Sequence, residues 1–592
     1  MKKLYTLIIV LALSASSCQK NVLDKVPLDI ISDATVWNDP ILIDAYLTQV
    51  YSQLSILTNE TKGNDWNTGE SWYTPFEINQ VSDEAKANRV ADAYNYKFGN
   101  LRIDGGLLEW WELSYKSIRE LNIFLERMPA SPIDEDLKKK RIAEARFLRA
   151  FNYFAMVKRY GGVPLITVAQ KLDDDNATLY PKRNKEEEIY DFVLSEMDAV
   201  ANDLPEKVAD NDYGRPSKYA ALALKCRAAL YAGSIAQFST VQLDGVVGIA
   251  AAKATEYYQA AYDAATLIMN GSGHALYKAD ADKVTNFRNI FLVKRNPEVI
   301  WAKAHNLSDK DAGGNGWAYD FFQTPVPNAW GGGNADGVYL EMAEEFEHTD
   351  GSSGKLDRNA IQQGLWTTTD LWKDKDPRFF ATLYTMNTPW KGGLIDWHMG
   401  ILKPDGTIQT DGSYNGRLAM GTQDGTTGFG VMKYLDEAKD NTQNIRGTSQ
   451  TDYIIFRYGE VLLNYAEAAF ELGKTNDALN AVNQIRERGG IKLLTSIDRA
   501  KIHHERKVEL AFEGQRYWDV RRWRTAVADL SVNGSGLRYV LEPTSNKYKL
   551  MVIEKIDGTV RVPAFFQRNY YLPITLGRTS NNPNLVENPG YQ

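Results

Sequence analysis

Alanine and larger apolar residues recur at i, i+3, i+4 and i+7 through much of this chain, and nothing else in it restricts the fold as tightly. In "TNDALNAVNQIRERGG" they are Ala478, Ala481, Val482 and Ile485. That spacing predicts a helix with one buried stripe. Its small alanines let a second helix approach closely. A partner stands immediately before it, "RYGEVLLNYAEAAFELGK". The first half repeats the habit. "NDPILIDAYLTQVYSQL" and "LLEWWELSYKSIRELNIFLERM" have helical spacing, and "LKKKRIAEARFLRAFNYFAMVKRYGG" predicts a long helix stopped at Gly161 and Gly162. "EEEIYDFVLSEMDAVANDL" puts Ile189, Val193, Met197 and Val200 on one face, and "EYYQAAYDAATLIM" does so for Tyr257, Ala261, Ala264, Ala265 and Ile268. "GRPSKYAALALKCRAALYAGSIAQF" places Pro216 in a first turn.

Helices that hide their stripes against the next pair follow the logic of tetratricopeptide (TPR) arrays. The period is irregular, so the expectation is a mainly α, TPR-like helical-hairpin scaffold and not a uniform repeat. Between about residues 300 and 450 the pattern breaks down. Stretches such as "AHNLSDKDAGGNGWAYDFFQTPVPNAWGGGNADG", "WTTTDLWKDKDPRF", "TPWKGGLIDWHMG" and "KPDGTIQTDGSYNG" show no sustained period. Half of the 14 tryptophans, Trp301 to Trp397, lie in this region, which argues against disorder and for a function.

Composition removes some classes. A formal charge of −8 over 592 residues argues against a nucleic-acid partner. The two cysteines, Cys18 and Cys226, give no disulfide framework if Cys18 is modified. The chain then depends on a large packed core, which its length can supply.

The leader suggests such a modification. Lys2 and Lys3 precede an apolar run, Leu4 to Leu13, too short to span a bilayer, then small residues and Cys18. "ASSC" resembles a lipobox, with Ala15 where leucine is usual. The expectation is a signal peptide over 1–17 and an acylated Cys18 with a tether over 18–36. A single domain then fills 37–592: helix pairs mainly over 37–270 and 453–525, a loop-rich ligand-binding region over about 271–452, and a C-terminal segment over 526–592. Each buried methylene of an acyl chain contributes about 0.8 kcal/mol, so two or more chains anchor firmly.

Several segments read together. They are "EARFLRAFNYFAMVKRYGGVPL" (144–165), "GRPSKYAALALKCRAALYAG" (214–233), "YIIFRYGEVLLNYAEAAFELG" (453–473), "ERKVELAFEGQRYWDVRRW" (505–523) and "YYLPITLGRTSNNPNLVENPGY" (570–591). With the weaker "VSDEA" (81–85), "WKDKDPRF" (372–379) and "VMKYLDE" (431–437), the chain resembles the SusD/RagB family of outer-membrane lipoproteins of Bacteroidetes. The resemblance implies four TPR-like hairpins carrying a variable, loop-rich half. It implies a lipid-anchored, surface-exposed protein of the outer membrane that captures a nutrient glycan and hands it to a SusC-like TonB-dependent transporter. It implies no catalysis and no cofactor. A peptide ligand, as in the RagB branch, is the sister reading; a secreted glycosidase and a pure interaction scaffold are the alternatives.

A sugar ring has an apolar C–H face that suits aromatic rings and a hydroxyl edge that suits amides, carboxylates and guanidinium groups. Trp317, Tyr319 and Trp330 lie where the family commonly carries stacking aromatics, with Asn315, Asn328 and Asp320 as edge partners. Trp390 stands in a similar Gly-rich stretch. A second cluster, "NDWNTGESWYTPF" (64–76), supplies Trp72 and Tyr73, and the residues after "VSDEA" supply Asn88, Arg89, Tyr94 and Tyr96 without a tryptophan. The competing role for any of these rings is to pin loops to the scaffold.

Other motifs point to structure. Glu505, Glu509 and Glu513 share a helical face, and Arg506, Arg516, Arg521 and Arg522 are the nearby cations expected to neutralise them. His504 has Val508, not histidine, four residues on, so no helical zinc pair forms. "DKDAGGNGWAYD" (309–320) offers oxygen ligands but not EF-hand spacing, so calcium there would be incidental. No G-x-S-x-G elbow or P-loop lysine motif is present. No local motif singles out a pair of glycosidase carboxylates.

Overall fold

The computed structural model describes residues 33–53, 77–87, 96–99, 106–305, 317, 319–325, 333–415, 417–418, 427–438, 448–560 and 562–591. Its helices of seven or more residues are α1 (Pro40–Gln53), α2 (Trp111–Arg127), α3 (Glu135–Tyr160), α4 (Glu186–Val200), α5 (Lys218–Phe238), α6 (Ala254–Gly271), α7 (Lys283–Leu292), α8 (Tyr458–Glu471), α9 (Thr475–Gly489), α10 (Arg499–Glu509) and α11 (Arg516–Arg522). Side chains fix the starts of several. The Asp134 carboxylate accepts from Leu137 N–H at 3.0 Å, and Ser217 Oγ accepts from Ala220 N–H at 3.1 Å. Ser217 is thus the cap of α5, and Pro216 lies just outside the helix rather than in its first turn.

Helices α2, α3, α4, α5, α6, α8 and α9 pack in succession, each against the next. The predicted stripes face inward: Ile189, Val193, Met197 and Val200 of α4, and Ala478, Val482 and Ile485 of α9, are fully buried. The stack is therefore mainly α and TPR-like, as the spacing predicts. Its fifth and sixth members, α6 and α8, touch although residues 272–457 separate them. The loop-rich half is an insertion between two neighbouring helices. No described helix is long and apolar enough to cross a membrane.

Short strands lie in the insertion and in the segments that pack on it. β1 (Ala85–Ala87) pairs antiparallel with β3 (Asp336–Val338), in the register Ala85↔Val338. β2 (Val299–Lys303) pairs antiparallel with Tyr453–Arg457, tying the start of the insertion to its end. A five-stranded sheet brings Gly536–Glu542 and Lys547–Ile553 beside segments at 365–366, 401–402 and 408–409.

Two apolar cores result. One fills the helical stack. The other lies in the loop-rich half and contains Trp317, Trp372, Trp390 and Trp397. Buried charge ties these two bodies together. Arg457 reaches Glu298 at 2.7 Å, Glu509 at 2.8 Å and Glu513 at 2.7 Å. Arg378 holds Asp376, Glu505 and Glu509 at 2.7–2.9 Å, Arg488 bonds Glu298 and Glu509, Arg486 bonds Glu505, and Lys433 bonds Glu513. Burial alone would raise the Glu509 carboxyl. The attraction of Arg488, Arg457 and Arg378 outweighs it and holds the group far below the usual carboxylate range.

The expected ion network on the Glu505 face exists, with different cations. Arg506 pairs with Asp519, Arg516 with Asp83, Arg522 with Glu467 and Asp519, and Arg521 donates to the Tyr570 carbonyl. Proximity along the chain did not decide the partners; the approach of α9, the Tyr453–Arg457 strand and the 376–378 segment to the acids of α10 did.

Candidate functional site

Trp317 belongs to the second core. Its backbone exchanges two hydrogen bonds with Ser449, at 3.2 and 3.0 Å. The indole lies parallel to His305, with centroids 5.2 Å apart and planes within 5°, and packs on Tyr319, Tyr434 and Tyr453. Its Nε1–H donates to Thr451 Oγ1 at 3.3 Å. The Tyr319 hydroxyl donates to the Lys433 carbonyl at 2.5 Å, and Asp320 Oδ1 accepts from Asp436 N–H at 3.2 Å. Trp317 and Tyr319 are 6% and 4% exposed, and their faces are taken by protein rings.

His305 leads outward. Its backbone N–H donates to Asp452 Oδ1 at 2.9 Å, Lys294 Nζ lies 3.0 Å from the same oxygen, and Tyr213 O–H donates to Asp452 Oδ2 at 2.8 Å. Tyr213 stands on the rim of a cleft of about 500 Å³, bounded also by Tyr51, Asp212, Arg215, Lys303 and Ala304. That volume lies within the range of small-ligand sites.

Local sequence builds these walls. Gly214 has φ of +98°, a conformation L side chains rarely adopt, and this turn presents Tyr213 ahead of α5. The Gly214 carbonyl accepts from Trp301 Nε1–H at 2.8 Å, locking the turn to β2. The Arg295 guanidinium lies 4.3 Å from the Tyr213 ring centroid. Across the cleft the Tyr51 hydroxyl donates to Glu144 at 2.9 Å. Arg215 pairs with Glu144 at 2.7 Å and with Asp212 at 3.1 Å. Burial, followed by the Asp452 charge, raises the Tyr213 phenol; burial and the Glu144 charge raise that of Tyr51. Both stay neutral donors at physiological pH.

Two rings with fixed hydroxyls and an arginine can grip a polar, ring-bearing ligand. The acids here, Asp212 and Glu144, are paired with Arg141 and Arg215. Glu84 and Asp336 are raised to about 7 by burial, but they are 1% and 0% exposed and neither lines this cleft.

The chain runs from the walls of this cleft into the two stretches that the sequence singles out. Ser52 lines it one residue before the end of α1, ahead of 54–76, and Ala304 lines it ahead of 306–316. Trp72, Tyr73, Asn88, Arg89, Tyr94, Asn315, Asn328 and Trp330 lie outside the described residues, as do Cys18 and most of the 309–320 stretch considered for calcium. No cluster of metal ligands occurs among the described residues. Trp390 is 3% exposed, in the second core, with the Lys391 ammonium 5.7 Å from its ring. Tyr96 is described and half-buried, and a small cavity beside it also touches Lys97 and Tyr517. The sequence reading did not select Tyr51, Tyr213 and Arg215. The available signal was Tyr213 standing before a glycine at a helix entrance, which reads equally well as scaffold.

The model of the SusD family matches residues 297–591, and that of a SusD-like family described as starch-binding and associating with the outer membrane matches residues 23–230. The chain belongs to the SusD family. A SusD-like protein of Formosa agariphila is 25% identical over 556 residues, which cover 89% of this chain and 93% of that protein. The crystal structure of a SusD-like protein from Bacteroides fragilis is 25% identical with a TM-score of 0.73, covering 96% of this chain and all of the other. A SusD-like carbohydrate-binding protein of the same organism is 24% identical with a TM-score of 0.70, covering 93% of this chain and all of the other.

The SusD landmarks explain one another in this fold. Asp83 of "VSDEA" pairs with Lys507 at 2.9 Å and Arg516 at 2.8 Å, and Glu84 accepts from Phe512 N–H at 2.9 Å. Arg378 of "WKDKDPRF", Lys433 of "VMKYLDE" and Arg457 of "YIIFRYGE" meet the acids of "ERKVELAFEG" in the buried ion seam. Segments far apart in the SusD sequence are thus one contact surface.

Proposed function

We propose that the protein is a non-catalytic, cell-surface lipoprotein that binds a nutrient oligosaccharide at the Tyr51–Tyr213 cleft. It passes the cargo to a SusC-like TonB-dependent transporter in the outer membrane, held there through an acylated Cys18. The cleft carries this reading. It offers two tyrosine rings and an arginine, its acids are neutralised, and the chain runs from its walls into two segments rich in aromatic residues, Asn and Gly. The carbohydrate-binding relative from Bacteroides fragilis and the starch-binding family description support a sugar as ligand.

In this reading Trp72, Tyr73 and Trp330 supply stacking faces, with Asn88, Arg89, Tyr94 and Asn328 as polar partners. Trp317 and Tyr319 are the buried base that fixes the root of the 306–332 stretch. Three stacking contacts of about 0.5–1.5 kcal/mol each give at most about 4–5 kcal/mol, an affinity of about millimolar, suited to a cargo that must be released. The test is calorimetric titration of the mature chain with a panel of polysaccharides and peptides, followed by Tyr213→Ala and Trp330→Ala. Saturable glycan binding without new reducing ends, weakened in both variants, is expected. Binding of peptides alone, or unchanged affinity in both variants, overturns the assignment.

A further inference from the structure

A second cleft, of about 570 Å³, lies in the loop-rich half and shares no lining residue with the first. The two stretches "WTTTDLWKDKDPRF" and "TPWKGGLIDWHMG" both lead to it. Thr368, Thr369 and Phe380 come from the first or just beyond it, Thr388 and Pro389 from the start of the second, and Arg288 of α7 and Glu437 close the far side. Phe380 is the aromatic surface. It is 40% exposed, while its neighbour Phe379 is buried and meets it edge-on at 5.1 Å. Phe379 in turn packs against Trp372 at 5.0 Å, so the exposed ring rests on the second core.

The polar side is equally fixed. Glu437 accepts from the Lys391 backbone N–H at 2.8 Å on one oxygen and from Arg288 Nη1 at 3.2 Å on the other. Asp374, Asn387 and Lys391, in or beside the walls, have φ of 57°, 60° and 51°. Asp and Asn adopt this conformation readily, but Lys391 does not, and strain of that kind persists where a loop is shaped for a purpose. Among the lining residues two cations, Arg288 and Lys373, face two anions, Asp374 and Glu437. That balance leaves no surplus charge to select a uronate, sulfate or phosphate. It suits a neutral ring with one apolar face and a hydroxyl edge.

The geometry points to a second saccharide subsite here, taking a neutral hexopyranose unit with its C–H face on Phe380 and its hydroxyls on Arg288, Glu437 and Thr369. It is independent of the Tyr213 cleft and would let one chain hold a glycan at two points.

The experiment labels the methionine methyl groups of the mature chain and reads Met386 and Met432, which line the cleft, by NMR. The probes are the methyl glycosides of glucose, galactose and mannose, with methyl glucuronide as the charged counterpart. A saturable shift at these methyls with a neutral glycoside is expected. It should weaken about fivefold in Phe380→Ala, disappear in Thr369→Trp, which fills the cleft, and persist in Tyr213→Ala, with melting temperatures unchanged. Three results each overturn the proposal: no shift with any neutral glycoside, a shift with the glucuronide alone, or a shift surviving both Phe380→Ala and Thr369→Trp. Loss of the shift in Tyr213→Ala also overturns it, by showing a single site. Unchanged oligosaccharide affinity in Tyr213→Ala counts against the first cleft and leaves this one standing.

Discussion

Replacing Arg457 with methionine tests how firmly buried charge joins the two cores. Arg457 touches Glu298, Glu509 and Glu513 at 2.7–2.8 Å and the Glu509 carbonyl at 2.9 Å, and the side chains involved are at most 6% exposed. Adding three pair energies would overstate the loss. Glu298 keeps Arg488, Glu509 keeps Arg488 and Arg378, and Glu513 keeps Lys433. What remains is one uncompensated buried charge, which costs about 3–5 kcal/mol. Urea unfolding at neutral pH should show a loss of that size. In the wild type, Glu509 is held below its ordinary range; its stabilisation is present above the unfolded pKa and lost as pH falls through the folded one. In the variant the acids titrate at higher pH and regain neutrality by taking up a proton. The deficit should therefore narrow between neutral pH and about pH 4. Lys225→Met is the control. It removes a 2.6 Å pair whose aspartate is 58% exposed, and should change stability by less than about 1 kcal/mol. A loss in Arg457→Met no larger than the control, or one that does not narrow on acidification, refutes the reasoning.

Trp317→Ala should cost about 3–5 kcal/mol by opening a cavity among Tyr319, Tyr434 and Tyr453; an unchanged melting temperature would contradict its burial. Gly162→Ala should abolish folding or lower the melting temperature sharply, because its Cβ would lie 1.9 Å from the Asn184 carbonyl oxygen, whereas Gly577→Ala, with nothing within 4 Å, should be neutral or mildly stabilising. Cys226 is fully buried, and burial pushes its thiol up to about 12; a thiol reagent should label it only as fast as the protein unfolds.

The helical stack was legible because alanine-rich stripes at helical spacing leave few other ways to bury them. Tryptophan in the loop-rich half was ambiguous for a physical reason. A Gly-, Asn- and Asp-rich setting is the same whether the indole faces solvent or anchors the loop. In the structure Trp301, Trp317, Trp372, Trp390 and Trp397 anchor. The ion seam was foreseeable from Glu505, Glu509 and Glu513 but its cations were not, since Arg378, Arg457 and Arg488 arrive from remote segments. Tyr213 and Tyr51 become wall-mates only once α1 packs beside the turn before α5. That long-range juxtaposition leaves no periodic trace.

The insertion between α6 and α8 bears on how the molecule is made. A chain emerging from its amino end completes the first run of helices while the surface of α6 that will meet α8 still has no covering partner. Residues 272–457 must follow before the missing helix exists. Such distant pairings are slow to form and leave apolar surface bare in the meantime. A chain of this design has good use for a chaperone until its last quarter arrives.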